Sequence, residues 1–289
     1  MNDPKSIPAD ARRRAASHPA REVERVATRS VGSEGAVDGY DWVAVEAPLE
    51  IRAWGPGQEP ASVAVTMRTP GSDLELAVGF LRTEGLIGPG VAVVEADCRL
   101  RAGVAGVALS RPFDGSSLRR NFPATSSCGV CGKATLDQVT SRRERIEPGP
   151  TVARATILGL AESLRAAQRA FDRTGGIHAA GLFDADGRLL AAREDVGRHN
   201  AVDKLVGRAF LDGDLPFSER ILMVSGRTSF EILQKAAVAG APIVCAVSAP
   251  SSLAVAVADQ LGITLIGFLH DDRFNIYSHP GRVVASSHR

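Results

Sequence analysis

The chain has 289 residues, of which 44% are hydrophobic and 23% are charged, and its formal net charge is +1. This length allows one large hydrophobic core or two smaller ones, and the near-zero charge provides no general attraction to nucleic acid or to a membrane surface. Four cysteines are too few for a disulfide scaffold in a chain of this size. We therefore expect neither a nucleic-acid partner nor a membrane partner, and we expect any anion to bind at a local patch.

The first segment, residues 1–35, is polar and rich in alanine, arginine and serine, which predicts a disordered tail. No apolar stretch follows its cluster of Arg12, Arg13 and Arg14, so the sequence predicts no secretory signal. No apolar segment is long enough and free enough of turn residues to cross a bilayer. We expect a cytoplasmic location, where cysteines stay reduced.

Residues 36–115 predict a small α+β domain. A capping box at Ser72 and Glu75 predicts the start of a helix that runs to Leu81. The two strand-like segments that come first, 42–45 and 49–54, are predicted to pair with each other. Further strands are predicted at 62–67, 91–95 and 104–109.

Residues 116–289 predict an α/β layered domain, because apolar strands alternate with helices that would cover the faces of a sheet. The predicted helices are 151–171, 201–211, 230–239 and a helix ending at 261; the predicted strands are 175–183, 189–191, 221–224, 243–247 and 264–269.

Polar segments follow several of these strands, and ligands of such sheets bind at the carboxyl ends of strands. The candidate ligands are Arg198, His199, Ser225, Arg227, Thr228, Ser229, His270, Asp271, Asp272, Arg273 and Asn275. Hydroxyl groups, cations and helix N-termini favour a phosphate-bearing ligand the size of a nucleotide. Two alternatives remain: the serines are N-caps, and residues 197–200 are a solvated turn. For His178, a ligand role and a core histidine with satisfied ring nitrogens are equally open.

Cys128 and Cys131 form a Cys-x-x-Cys pair between a predicted loop and a predicted short helix. A helix N-terminus, helped by Lys133, should lower the pKa of a thiol from its ordinary value of about 8.5. The sequence therefore predicts reactive thiols. Cys98 and Cys245 lie in strand-like segments and are predicted to be core thiols.

Three chemistries are available to this pair. A structural zinc site needs two more ligands at similar spacing, and a zinc deaminase needs a proline where Ser127 stands, so we expect no zinc and no other metal site. A thioredoxin-like dithiol normally joins a strand to a helix, whereas this pair follows a long irregular loop. Sulfur carriage fits best: one thiolate accepts a sulfane sulfur as a persulfide, and the other thiol releases it by forming a disulfide that a reductant must then open.

Four separate segments, taken together, resemble the formate dehydrogenase accessory sulfurtransferases. They are SCGVCG (127–132), EDVGRHNAVDK (194–204), SGRTSFE (225–231) and RFNIY (273–277). The likeness extends from about Asp41 to Val284, which is nearly all of the chain beyond the tail.

This resemblance implies a function and a set of partners. The protein would take sulfur from a cysteine desulfurase and deliver it to the molybdenum (or tungsten) bis(molybdopterin guanine dinucleotide) cofactor of the formate dehydrogenase catalytic subunit. GDP-like nucleotides would mimic the cofactor, and the chain would be a homodimer.

The resemblance also implies a fold and residue roles. The fold is a cytidine deaminase-like α/β layered domain with a smaller N-terminal α+β domain. Cys128 is the persulfide carrier and Cys131 matches the second cysteine. Residues 268–273, which add Phe268 and Leu269 to the candidates, match the cofactor-binding stretch. One alternative belongs to another class: a non-catalytic chaperone that binds the cofactor and docks to the dehydrogenase.

Overall fold

The structure, a computed structural model, describes residues 21–98, 103–115, 145–146 and 148–285. The strands in these ranges are β1 (Val23–Gly32), β2 (Gly35–Ala44), β3 (Ala47–Trp54), β4 (Ala61–Arg68), β5 (Val93–Asp97), β6 (Val104–Leu109), β7 (Val152–Ala153), β8 (His178–Phe183), β9 (Leu189–Asp195), β10 (Ile221–Val224), β11 (Ile243–Ala246), β12 (Thr264–Gly267), β13 (Asn275–Ser278) and β14 (Val283–Val284). The α-helices are α1 (Asp73–Thr83), α2 (Arg154–Ala166), α3 (Arg169–Thr174), α4 (Arg198–Asp212), α5 (Phe230–Ala239) and α6 (Ser252–Leu261). None of the helices described is long and apolar enough to cross a membrane.

The larger sheet has the strand order β13-β12-β11-β10-β8-β9. Strands β10, β11 and β12 are parallel, and β8 runs antiparallel to both β9 and β10. The carboxyl ends of β9, β10, β11 and β12 therefore meet at one edge, which we call the carboxyl edge.

Helices cover both faces of this sheet. Leu222 and Val244 face α4, α5 and α6, whereas their neighbours Met223 and Ile243 pack with α2. All residues of β10, β11 and β12 are buried. The α/β layered fold predicted for the second part of the chain is confirmed.

A smaller sheet with the order β4-β3-β6-β5 packs against α1 and confirms the predicted N-terminal α+β unit. Helix α1 crosses α4 at two glycines. A Cβ atom added to Gly79 would overlap the backbone of Asp203, and one added to Gly207 would overlap the backbone of Glu75. The two helices thus meet backbone to backbone, which larger residues at these positions would prevent.

A buried polar network lies beside this crossing. The Lys235 ammonium donates to Thr83 Oγ1 (3.0 Å), Glu84 Oε1 (2.8 Å) and Asp203 Oδ2 (3.0 Å). The Thr83 hydroxyl in turn donates to Asp203 Oδ1 (2.7 Å). Burial raises the pKa of the Asp203 carboxyl to about 6. The network joins α1 to α4 and α5, because an unpaired charge at this depth is unfavourable.

Several local predictions are wrong, and residues 1–20 of the predicted tail lie outside the described residues. Residues 23–32 of the predicted tail form β1, which pairs along its whole length with β2, so 42–44 pair with β1 and not with 49–54. The base of this hairpin packs on Ala170 and Ile177, which provides the apolar contact that the polar sequence did not reveal. The predicted helix 151–171 is divided into α2 and α3, since the Glu194 carboxylate accepts from the N–H groups of Ala170 and Phe171 and so starts a new helix.

The predicted capping box is also wrong. Ser72 has a left-handed backbone (φ 54°) and its side chain makes no cap hydrogen bond. The Glu75 carboxylate instead accepts from Arg193 of β9, with Nη2 to Oε1 at 2.7 Å, and Asp73 pairs with Arg68 at 2.8 Å. The Glu75 carboxylate, which a capping box would use, is thus paired with another strand.

We expect Gly79→Ala to lower the free energy of unfolding by about 1–3 kcal/mol or more, because the added methyl group forces α1 away from α4. Gly159→Ala is the matched control: this glycine is also in a helix, but its Cβ position is open. The control should raise the free energy by about 0.5–1 kcal/mol through helix propensity. Urea denaturation measures both, and equal effects of the two substitutions would contradict the close crossing.

Candidate functional site

Three helices begin at the carboxyl edge of the larger sheet. Helix α4 follows β9, α5 follows β10 and α6 follows β11. The loop after β12 reaches the same edge. Since the N-terminus of a helix carries partial positive charge and free N–H groups, this edge favours an anion.

The predicted candidates are distributed along this edge in sequence order. Arg198 and His199 begin α4; Ser225, Arg227, Thr228 and Ser229 lie between β10 and α5; and Phe268, Leu269, His270, Asp271, Asp272 and Arg273 follow β12, with Asn275 starting β13.

The starts of α4 and α5 are in contact. His199 Nε2 lies 3.3 Å from Ser229 Oγ and 4.0 Å from a carboxylate oxygen of Glu231. Burial, then the charges of Arg198 and Lys235, lower the pKa of His199 to about 4. The imidazole is therefore neutral near pH 7, and it acts here as a hydrogen-bonding group and not as a cation.

Two polar atoms at this contact have no hydrogen-bond partner among the described residues. They are Arg198 Nε and Thr228 Oγ1, and both are buried. The Thr228 backbone is fixed: its N–H donates to Ala249 O (3.2 Å) and its carbonyl accepts from Ser251 N (3.0 Å). Buried polar groups are normally paired, so these two atoms point to a missing partner.

Next to these groups, Gly226 separates Arg198 from His178. A Cβ atom at Gly226 would lie 3.3 Å from the His178 ring and 3.6 Å from Arg198 Cδ. Burial, and then the Arg198 charge, lower the pKa of His178. His178 also borders the cavity described next, and its role stays a prediction.

A cavity of about 940 Å³ opens at the same edge, between the sheet and the pair α2 and α3. Leu164, Phe171 and Ile177 give it an apolar wall, and the Arg165 guanidinium stacks over the Phe171 ring at 4.5 Å. His178, Ser225 and the segment 269–271 complete the lining. An apolar wall with a few convergent polar groups is typical of a site for an organic ligand.

Most of the other candidate residues are exposed; Leu269 and Ser225 are the exceptions. The Leu269 side chain is fully buried in the core that α2 covers, although it borders the cavity, and Phe268 is exposed with φ 52°. His270, Asp271, Asp272, Arg273 and Asn275 are exposed, as is Arg227 between the buried Gly226 and Thr228. Ser225 Oγ already accepts from Ala179 N (2.9 Å). The binding roles of all these residues stay predictions.

The cysteines divide into two groups. Cys128 and Cys131 lie outside the described residues. Cys245 is fully buried and burial raises its pKa; burial, with Asp73 and Asp97 nearby, raises the pKa of Cys98 to about 12. Among the described residues no three His, Cys, Asp or Glu side chains are grouped so that they could hold a metal ion.

The residues that hold the start of α4 were not among the predicted candidates. The Asp195 carboxylate is fully buried and receives Gly197 N (2.8 Å), Asn200 Nδ2 (3.0 Å) and the Lys204 ammonium (2.7 Å). Thr69 N also donates to it, at 3.2 Å. The available signal was the pair of opposite charges, Asp195 and Lys204, on either side of the predicted helix start.

Comparison with known proteins gives the family. Residues 44–284 match the model of the FdhD/NarQ family. The chain belongs to this family. Two relatives bear the name sulfur carrier protein FdhD: one from Mycolicibacterium paratuberculosis is 50% identical over 254 residues (83% of this chain, 90% of that protein), and one from Thermoplasma acidophilum is 44% identical over 257 residues (86% and 89%).

A solved structure shares the fold. It comes from Desulfotalea psychrophila and is described as that of a formate dehydrogenase accessory protein. The TM-score is 0.72 at 23% identity, with 91% of this chain and 99% of that chain covered. Both the small unit and the larger sheet therefore belong to the fold seen in this accessory protein.

We expect His199 to titrate near pH 4, because burial and the adjacent Arg198 charge oppose its protonation. The ordinary pKa is about 6.5, so the unfolded chain binds the proton more readily, and this residue makes folding less favourable as the pH falls from about 6.5 towards 4. An NMR titration of the His199 ring measures the midpoint directly. A midpoint at or above 6 would show that the ring is solvated or ion-paired, contrary to the structure.

Proposed function

We propose that this protein is a sulfur carrier that holds a sulfane sulfur on Cys128 as a persulfide. The sulfur passes to the molybdenum bis(molybdopterin guanine dinucleotide) cofactor, which formate dehydrogenase needs. The donor is a cysteine desulfurase, and the recipient enzyme is the catalytic subunit of formate dehydrogenase. The name sulfur carrier protein FdhD, borne by relatives that are 43–50% identical, supports sulfur carriage.

One observation carries the assignment to the Cys-x-x-Cys pair. The chain has four cysteines. Cys245 and Cys98 are poor nucleophiles, because burial disfavours the thiolate that reacts. The remaining thiols are Cys128 and Cys131, and two residues separate them in the sequence.

The proposed chemistry has two steps, and atoms and electrons balance in each. In the first, the Cys128 thiolate attacks the outer sulfur of the desulfurase persulfide, which forms a Cys128 persulfide and releases the desulfurase thiolate. In the second, the Cys131 thiolate attacks the inner sulfur of that persulfide, so a Cys128–Cys131 disulfide forms and hydrosulfide leaves towards the acceptor. The sulfane sulfur gains two electrons from the thiols, and a dithiol reductant returns the disulfide to two thiols.

The carboxyl edge supports binding of the acceptor to the same protein. A guanine dinucleotide has a planar base and a pyrophosphate group. The cavity beside Phe171 has the volume and the apolar wall that a base requires, and the start of α4, which carries Arg198, offers positive charge to phosphate. A carrier that also binds its acceptor keeps the reactive sulfur away from other thiols.

Peptide mass spectrometry without reductant, after incubation with an active cysteine desulfurase and cysteine, tests the proposal. We expect one added sulfur atom on the peptide that contains Cys128, removed by dithiothreitol and absent from Cys128→Ala. Cys98→Ala is the matched control, since its thiol pKa of about 12 leaves it protonated, and it should acquire sulfur as the unchanged protein does.

The same experiment separates the carrier from the cofactor-binding chaperone. A protein that never gains sulfur from its active desulfurase, yet still supports maturation of formate dehydrogenase, would contradict the carrier mechanism. Maturation at the normal level by Cys128→Ala would lead to the same conclusion.

A further inference from the structure

The hairpin of β1 and β2 exposes a large share of the apolar surface of the described chain. Each strand has ten residues, and the base of the hairpin, at Val23 and Ala44, packs on Ala170 and Ile177. Half of the exposed large hydrophobic side chains among the described residues lie on these two strands: Val31, Val37, Tyr40, Trp42 and Val43. Exposed apolar groups that are gathered on one element mark an interaction surface.

The outer edge of β2 is open to a further strand. Within the part of the chain that the structure describes, β1 and β2 form a sheet of two strands, an arrangement that is marginally stable in water without added strands. Edge strands are usually protected by lysine, proline or a bulge. Strand β2 contains neither lysine nor proline, and its ten pairs with β1 follow one another without a register shift. Such an edge is suited to accept another strand.

The sequence of β2 indicates that this strand is a second copy of β2. Around Tyr40 the sequence reads almost the same in both directions: Val37 and Val43 are three residues away, and Ala36 and Ala44 are four. When a strand pairs with its own copy across a two-fold axis, residues equally far from the axis lie opposite each other. With the axis at Tyr40, Val37 of each copy meets Val43 of the other.

Neighbouring registers are less favourable. An axis at Gly39 would place Val37 opposite Asp41 of the second copy. An axis at Asp41 would place two aspartates opposite each other, and like charges in that position are destabilising. The axis at Tyr40 avoids both and pairs valine with valine. Aromatic and β-branched cross-strand pairs of this kind stabilise a sheet.

The charges of the hairpin agree with this register. Asp38 of one copy would lie opposite Trp42 of the other. The guanidinium of Arg173 stacks over the Trp42 ring, 4.1 Å from its centroid. An acidic side chain of each copy therefore approaches a cation of the other, twice in the pair.

We propose that two copies of this chain associate through the outer edge of β2, with the two-fold axis at Tyr40. The two hairpins then form one continuous sheet of four strands, in the order β1-β2-β2-β1. A stable interface takes about 20–30 residues from each partner. The two strands supply ten residues each, and α3 lies beside them, so one hairpin provides a contact of this size. The inference does not depend on sulfur carriage.

Sedimentation velocity of the full chain over a range of concentrations tests the association. We expect a dimer for the unchanged protein. Val37→Asp should raise the dissociation constant by about a hundredfold or more, because each dimer would then bury two unpaired carboxylates. Val65→Asp is the matched control, since Val65 of β4 is 67% exposed and Val37 is 72% exposed. It should remain dimeric, and both variants should resist urea as the unchanged protein does.

Disulfide formation under mild oxidation tests the register, in a protein that carries Cys128→Ser and Cys131→Ser. Opposite residues of an antiparallel pair have Cα atoms about 4.5–5.5 Å apart, which a disulfide can span. Tyr40→Cys alone should form a covalent dimer on a non-reducing gel. Val37→Cys alone should not, but a mixture of Val37→Cys with Val43→Cys should.

An unchanged protein that stays monomeric at every concentration would overturn the proposal and would assign the hairpin to a different partner. A dimer that Val37→Asp and Val65→Asp weaken equally would also overturn it, because the contact would then lie elsewhere. So would covalent dimers of Val37→Cys alone that form as readily as those of the mixture, since they require another register.

Discussion

The buried Asp195 carboxylate is the interaction on which the arrangement of the site depends. It ends β9, pairs with the Lys204 ammonium at 2.7 Å, and accepts from Gly197 N and Thr69 N. One group therefore connects the larger sheet, the start of α4 and the turn that precedes α1. Removing one partner of such a buried pair typically costs about 3–5 kcal/mol. The position of Arg198, three residues further on, follows from this anchor.

The smaller unit supports the residues of the site, but none of its described side chains lines the cavity. Lys204 also donates to Thr69 O (2.9 Å), and Glu75 on α1 pairs with Arg193 of β9. These contacts connect the smaller unit to β9 and α4, and the glycine crossing adds a backbone contact further along α4. Such rigidity allows two buried atoms, Arg198 Nε and Thr228 Oγ1, to stay without a hydrogen-bond partner among the described residues, because the surrounding structure prevents their collapse onto other groups.

Periodicity in the sequence predicted the larger domain well. The strand 221–224 and the helix 230–239 are found at the predicted bounds, because continuous apolar strands and helical spacing are local signals. The placement of Arg198 and His199 at a helix start on the carboxyl edge also followed from local order. What the sequence could not show were partners far along the chain: Glu75 is 118 residues from Arg193, and Thr69 is 135 residues from Lys204. The hairpin of β1 and β2 was missed because most of its side chains are exposed on both faces, so it lacks an apolar alternation.

Transfer of labelled sulfur tests the central claim, that a sulfur-carrying thiol and an acceptor site act together in one protein. The protein is loaded with ³⁵S by a cysteine desulfurase, freed of the donor, and mixed with formate dehydrogenase that contains cofactor without its sulfur ligand. The account predicts that the label moves from the Cys128 peptide to the dehydrogenase cofactor within one turnover. Label that stays on the protein while the dehydrogenase becomes active would contradict it.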